Sequence, residues 1–338
     1  MKRLLIITLY IILIQPASAK KYGKLISQGK IKNSVYYIYS QRDCFNDFAK
    51  VINSNDTLDF INWEKIVFEQ TKDLYDISFD QRNDSSKKKR YNTYKRHVKI
   101  CDNKELLRIS KDFEDQIEDI LIKTLQFYSD EKDTISVIIM PIAGQGGTVK
   151  EISNRNSIMP LGVNLIKNTE RLISIIPHEY THRYNQLKNG LPSDDATWIN
   201  SAKMFWSLWS EGLASYGTGI VTKNYSLDNL MLPKEYKSFK DREDLPEINR
   251  WLASAFLQQY DDKLINRKND LPRAKWFASN RHIKDGLPPA IGYYLGYLVV
   301  KKCIEEYNYS FYELLMSSPN KLDKLGKEVL KDIAKERI

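Results

Sequence analysis

Cysteine is scarce in this chain. The three in 338 residues, Cys44, Cys101 and Cys303, include no CxxC pair, which argues against a cysteine-ligated zinc site. No apolar run after residue 14 reaches the length of a membrane span. No internal repeat is visible. The glycine-rich stretch Ala143-Gly144-Gln145-Gly146-Gly147-Thr148 has neither the Walker lysine spacing nor GxGxxG, so it is read as a flexible turn and not as a phosphate cradle. None of the usual nucleic-acid motifs is present, and no nucleic acid is expected as a partner. The formal charge of +9, with basic clusters at 87–90 and 95–97, reads as a solvated basic face. Histidine is nearly as scarce as cysteine, at four residues.

The amino terminus does carry a short apolar run. Lys2 and Arg3 precede Leu4 to Ile14, followed by Gln15-Pro16-Ala17-Ser18-Ala19. That order of positive, apolar and small residues reads as a secretory signal peptide over 1–19, cut before Lys20. The expectation is an exported protein, periplasmic or secreted, with no stable membrane insertion after cleavage. In such a compartment Cys44 and Cys101 are the candidate disulfide pair, and Cys303 a buried free thiol. Removal of the signal leaves 319 residues (338 − 19), more than one comfortable core, so two lobes are expected.

The first lobe, 20–130, reads as mainly helical. Its helical stretches lie near 44–53, 59–75 and 112–128, with one strand at Val35–Tyr39 and an exposed, mobile loop at 83–90. The second, 131–338, opens with β-branched residues at 134–141, a buried strand. A further strand at 157–163 contains Pro160 and Gly162, which mark it as an edge. Helices are expected near 246–264, 287–307, 310–317 and 320–335. A small sheet followed by many helices is an α+β pattern.

The informative segment is His178-Glu179-Tyr180-Thr181-His182, an HExxH spacing that takes up two of the four histidines. Positions i and i+4 of a helix share a face, so both imidazoles can aim at one metal ion. Glu179, one step round, can reach a water at the open position of that ion as general base. Glu211 follows 29 positions after His182 (211 − 182) and supplies a third ligand. It borders an apolar stripe (Trp198, Ala202, Phe205, Leu208, Trp209, Gly212, Leu213, Tyr216) with the rhythm of a long amphipathic helix. A carboxylate beside such a face needs a partner. Pro177 leaves two local readings open. Either Ser174 caps the helix and Pro177 sits in its first turn, or the helix begins near Thr169 and bends at Pro177. It is expected to stop near Gly190-Leu191-Pro192. Hydrolysis of a carbonyl compound also calls for an oxyanion donor, for which His282, Tyr293, Tyr294 and Tyr297 are candidates and Tyr216 a weaker one.

With these residues in view, the chain resembles the gluzincins, zinc peptidases with two histidines and a downstream glutamate. It is similar in particular to a bacterial group of predicted zinc-dependent proteases with a Glu-Gly-x-Ala ligand segment, here Glu211-Gly212-Leu213-Ala214. That group also has a late Gly-Tyr-x-x-Gly-Tyr-like segment, here residues 292–297. The resemblance spans about residues 134–316. It implies a zincin-like catalytic domain, Zn2+ held by His178, His182 and Glu211, Glu179 as base and proton shuttle, Tyr293 as oxyanion donor, and a peptide or protein substrate. The substrate would pair with the edge 157–163, along Met159, Leu161, Gly162 and Val163. One position departs from the thermolysin-like pattern. The Asp that orients a ligand histidine, four residues after the ligand glutamate, is replaced by Ser215. That departure keeps a second reading in play, a non-catalytic envelope binding or scaffold protein whose zinc site is structural or vestigial. A third keeps the chemistry but takes a cell-wall amide as substrate.

Overall fold

The structure, a computed structural model, describes residues 22–52, 56–69, 84–143, 146–153, 155–167, 169–189, 204–227, 229–230, 236–239, 241–262, 271–277 and 281–336. The signal segment 1–19, the Gly190-Leu191-Pro192 stop, and Trp198 and Ala202 of the apolar stripe lie outside these residues. Within them the chain is α+β, a small mixed sheet among many helices.

Five strands form the sheet: β1 (Lys24–Ile31), β2 (Ser34–Ser40), β3 (Thr134–Met140), β4 (Lys150–Ser153) and β5 (Asn156–Gly162). Their order is β1-β2-β3-β5-β4. The strands β2 and β3 form where tyrosine, valine and isoleucine are dense, side chains that pack well on a pleated surface. They run parallel, Val35 opposite Thr134 and Ser40 opposite Ile139. The boundary between residues 130 and 131 therefore runs through a continuous sheet. β5 runs parallel to β3, while β1 and β4 are antiparallel to their neighbours.

One expectation needs correction here. The strand at 157–163 is not an edge. β3 pairs with it on one side and β4 on the other, and the ladder continues past β4 through Gly147 opposite Leu161. Met159, Leu161, Gly162 and Val163 are buried. Pro160 is tolerated because β4 stops short of it: the β4–β5 register runs only from Ile158 to Asn156. Among the described residues β4 is the outermost strand on this side of the sheet.

The helices used below are α1 (Arg42–Val51), α2 (Asp56–Trp63), α3 (Asp84–Ile100), α4 (Asn103–Phe127), α5 (Val163–Ile166), α6 (Thr169–Asn189) and α7 (Met204–Thr222). Then come α8 (Tyr236–Phe239), α9 (Leu245–Leu257), α10 (Leu271–Phe277), α11 (Ile291–Glu305), α12 (Phe311–Leu315) and α13 (Pro319–Lys335). Asp102 caps α4 by accepting from the backbone N–H groups of Lys104 and Glu105. Leu106, Ile109, Phe113, Ile117, Leu121 and Leu125 then bury one face of it. Glu118 of α4 accepts hydrogen bonds from Ser27 of β1 (2.5 Å) and Tyr36 of β2 (2.6 Å), which ties the helix to the sheet.

Two further expectations differ from the structure. The stretch 84–90, read as a loop, belongs to α3. Its lysines are drawn into contacts: Lys87 pairs with Glu64, and the Lys88 ammonium lies 4.8 Å from the ring centres of both Phe60 and Tyr91. Cys44 and Cys101 are not bonded to one another. Cys101 Sγ, just past the end of α3, instead lies 3.9 Å from His97 Nδ1 in the last turn of that helix. Cys303 is a buried thiol, as expected.

Candidate metal site and its surroundings

The helix α6 starts at Thr169, so Pro177 lies well inside it and the second of the two local readings holds. Proline removes one backbone donor, the one that would have bonded the carbonyl of Ile173, four residues back. The Pro177 carbonyl also accepts from the Thr181 hydroxyl at 2.7 Å. From Pro177 the next two turns carry His178, Glu179 and His182.

The helix α7 crosses α6 and brings Glu211 to the histidines. His178 Nε2 and Glu211 Oε2 are 3.2 Å apart, His182 Nε2 and Glu211 Oε2 3.4 Å, and the two Nε2 atoms 3.2 Å. The imidazoles meet edge to face, with ring centres 4.9 Å apart. Three donors about 2.0–2.1 Å from a tetrahedral ion would stand about 3.3–3.4 Å from one another. The observed triangle has that size, and its donor set of two imidazoles and a carboxylate suits a divalent transition metal. This buried group of His178, His182 and Glu211 can hold a metal ion.

The electrostatics of the cluster point the same way. Burial by itself would raise the pKa of Glu211, yet the adjacent His182 and His178 outweigh it and hold the carboxyl well below its usual range. Burial works against a charge on His182, and Glu211 and Glu179 reverse that, so its pKa is raised. Both shifts express one demand: the carboxylates require positive charge between the imidazoles.

Some groups around the cluster have partners and others do not. Ser210 Oγ lies 3.0 Å from His182 Nδ1, so that nitrogen can donate outward while Nε2 keeps its lone pair for the ion. His178 Nδ1 is buried and has no partner among the described residues, and the same is true of Ser215 Oγ. Ser215 follows Glu211 by one turn and precedes Thr218, whose hydroxyl approaches the Ser174 carbonyl at 3.5 Å. It therefore faces the same turn of α6 as its neighbours without bonding it.

Glu179 lies beside the triangle under the stretch that leads into β4. A Cβ added at Gly147 would stand 2.6 Å from Ile175 Cδ1 and 3.4 Å from Glu179 Cγ. Only glycine lets that backbone lie so close over the helix. The Gly146 carbonyl accepts from the Gly162 N–H at 2.8 Å, which holds the stretch to β5. Burial raises the pKa of Glu179; the two histidines oppose the rise and Glu211 adds to it.

Tyr293 completes the cluster. The helices α7 and α11 cross where Gly212 meets Gly296, and a Cβ on Gly212 would stand 2.4 Å from the Gly296 carbonyl oxygen. That close crossing lays the Tyr293 ring on His178, with ring centres 5.8 Å apart and planes 25° off parallel. Burial, then the negative charges of Glu211 and Glu179, drive its pKa well above the usual tyrosine value, so the hydroxyl keeps its proton. The other donor candidates are engaged elsewhere. His282 is an exposed residue whose Nδ1 donates to the Leu287 carbonyl at 2.7 Å. Tyr294 bonds Asn249 Oδ1 at 3.1 Å, and Tyr297 stacks on Tyr216.

Three features of the site escaped the sequence reading. Ser210 gave a weak signal as the polar neighbour of the ligand glutamate. Gly147 gave one as the second of two consecutive glycines. Arg273 gave none, because it sits on a short helix 62 positions after Glu211 (273 − 211).

No protein-family model, curated protein or solved structure matches the chain.

Proposed function

We propose that this protein is an exported zinc-dependent peptidase of the gluzincin kind, with a zincin-like catalytic domain. The triangle of His178 Nε2, His182 Nε2 and Glu211 Oε2 carries the reading, because its three sides match one face of a tetrahedral site. The sequence order of HExxH followed by a helical Glu-Gly-x-Ala adds support. When bound, Zn2+ would act as a Lewis acid on the scissile carbonyl and make a water acidic enough to react near neutral pH.

The chain's own groups then have distinct tasks. Glu179 takes a proton from the attacking water as its oxygen adds to the carbonyl carbon, and its raised pKa suits a group that must give the proton back. It returns it to the amine nitrogen as the C–N bond breaks, leaving a carboxylic acid and an amine. Tyr293, protonated and stacked on His178, donates a hydrogen bond to the oxygen that becomes negative. The peptide lies in extended form along the outer side of β4 and the Gly146–Thr148 stretch, adding to the sheet as a further strand. This edge replaces 157–163 in that role.

Changing Glu179 to Gln keeps the shape of the group and removes its basicity. Zinc content is expected to stay at one per chain while hydrolysis of a casein digest falls by about 10²–10⁴-fold. Full activity in that variant would remove Glu179 as the base, and absence of hydrolysis by the zinc-loaded wild type would remove the peptidase reading. The second reading, a non-catalytic envelope protein with a structural metal, draws on the unpartnered Ser215 and His178 Nδ1. It predicts that Glu179→Gln changes nothing measurable beyond metal-free properties. Among the described residues no helix is long and apolar enough to cross a membrane.

A further inference from the structure

One described cation near the metal ligands is Arg273. Arg273 is exposed on α10, and its Nε donates to Ser207 Oγ at 3.2 Å. Ser207 stands on α7 one turn before Glu211 and three residues before Ser210, which bonds His182. Arg273 therefore sits one helical turn from the ligand set. Four residues further along α10, on the same face, Phe277 packs against Tyr293 with ring centres 6.0 Å apart. A Cβ on Gly292 would stand 2.5 Å from the Phe277 ring, so the two helices are in close contact there. The short helix is thus fixed across one side of the site by Phe277, with Arg273 at its other end.

Among the described residues no carboxylate pairs with Arg273. Its single hydrogen bond uses Nε, which leaves the two terminal nitrogens of the guanidinium without a protein acceptor. A planar fork of this kind matches a carboxylate in two-pronged fashion. The charge count adds to the argument. Among the described residues Glu179 and Glu211 would balance a bound divalent ion, and Arg273 would add a positive charge beside it. A substrate that covers Arg273 would take its guanidinium out of water, and an anionic group on that substrate would offset the cost.

We propose that Arg273 forms a carboxylate-binding subsite, so that the preferred substrates are peptides presenting a carboxylate beside the scissile bond. This rests on the peptidase reading above for its setting but not for its test. The carboxylate has two sources, the free C-terminus of a peptide or an Asp or Glu side chain. A free terminus would make the enzyme an exopeptidase that trims from the C-terminal end. A side chain would make it an endopeptidase selective for acidic sequences.

The test measures binding to the zinc-loaded, full-length Glu179→Gln protein, which removes turnover from the readout. Three probes are titrated by calorimetry: acetyl-Ala-Phe-Ala acid, acetyl-Ala-Phe-Ala amide and acetyl-Ala-Phe-Glu amide. At least one carboxylate-bearing probe is expected to bind about tenfold more tightly than the neutral amide, as for a hydrogen bond to a charged group. Whichever of the two does so names the source. Adding Arg273→Gln is expected to bring the ratio to about one, while Arg273→Lys keeps part of it. Equal binding of all three probes, or no measurable binding of any, overturns the proposal. So does a preference that survives Arg273→Gln, which would mean that the carboxylate goes to the metal. A loss of affinity equal for charged and neutral probes in Arg273→Gln would reduce Arg273 to a support for α10. Wild-type hydrolysis is measured separately. If it is absent while the binding ratio stands, the peptidase reading fails and the anion subsite does not.

Discussion

Ser210 and Ser215 flank Glu211 and make opposite predictions. Ser210 gives His182 Nδ1 its partner at 3.0 Å, so Ser210→Ala is expected to weaken zinc binding about 10–100-fold in a competitive chelator titration. Unchanged affinity would mean that Ser210 has no part in orienting the ring. Ser215, which stands where a thermolysin-like pattern would have Asp, is fully buried and bonds nothing among the described residues. Removing an unsatisfied hydroxyl breaks no bond, so Ser215→Ala is expected to leave zinc affinity within about threefold and stability unchanged or slightly higher. A tenfold loss of zinc affinity would instead show that Ser215 reaches His178 through a water. His178, Glu179 and His182 were legible in the sequence because HExxH fixes their spacing along one helix, and Glu211 because a carboxylate bordering an apolar stripe needs a partner. Ser210 and Arg273 were not, because their roles depend on which helix crosses which, and a single sequence does not state that.

Two contacts between elements hold the cluster in shape. The first is the crossing of α7 and α11. Gly212→Ala would force a Cβ into the Gly296 backbone, so the helices must part and Tyr293 must shift off His178. The expected cost is about 1–3 kcal/mol in denaturant unfolding. A variant of native stability would show that the crossing tolerates a side chain. The second is Arg183, which follows His182 on α6 and is fully buried. It bonds Asp133 Oδ1 at 3.0 Å, just ahead of β3, and Glu151 Oε2 on β4 at 2.8 Å. This links the ligand helix to the outermost strand, where a peptide would add. Arg183→Met leaves Asp133 buried without its cation, and a loss of about 3–5 kcal/mol is expected. A loss below about 1 kcal/mol would mean that Asp133 takes up a proton or water at little cost. The Gly-Tyr segment and the amphipathic stripe around Glu211 gave α11 and α7 as helices, but nothing in their patterns gave the closeness of their approach.

For the molecule as a whole, the strands with dense apolar residues, β2, β3 and β5, were readable, and those at the two margins were not. β1 has no fully buried residue among Lys24–Ile31, and β4 is four residues long with mixed exposure, so neither shows an apolar alternation. Because β4 was unseen, β5 was taken for the edge. The run 84–90 looked like a loop because its lysines carry charge, while Lys87 pairs with Glu64 and the Lys88 ammonium lies over Phe60 and Tyr91. The far end of α6 is tied down by polar contacts that also set an acid limit. Asp130 accepts from Tyr184 at 2.8 Å and from Tyr312 of α12, and pairs with Lys188 at 2.7 Å. Burial would raise its pKa, but Lys188 and the two tyrosines overcome that and hold it at about 2. A carboxyl depressed in the folded state adds stability above its unfolded value of 3.8 and loses it as pH falls toward about 2. The melting temperature of the wild type is therefore expected to fall more steeply across that window than that of Asp130→Asn. Parallel curves would remove Asp130 from the acid response.

The central claim is that two imidazoles and one carboxylate enclose a single divalent ion. Anomalous diffraction at the zinc absorption edge, on crystals of the zinc-loaded full chain, measures this directly. One peak is expected, about 2.0–2.1 Å from His178 Nε2, His182 Nε2 and Glu211 Oε2. Zinc found only elsewhere, for instance between His97 and Cys101, or no bound zinc with the three side chains turned apart, would contradict it.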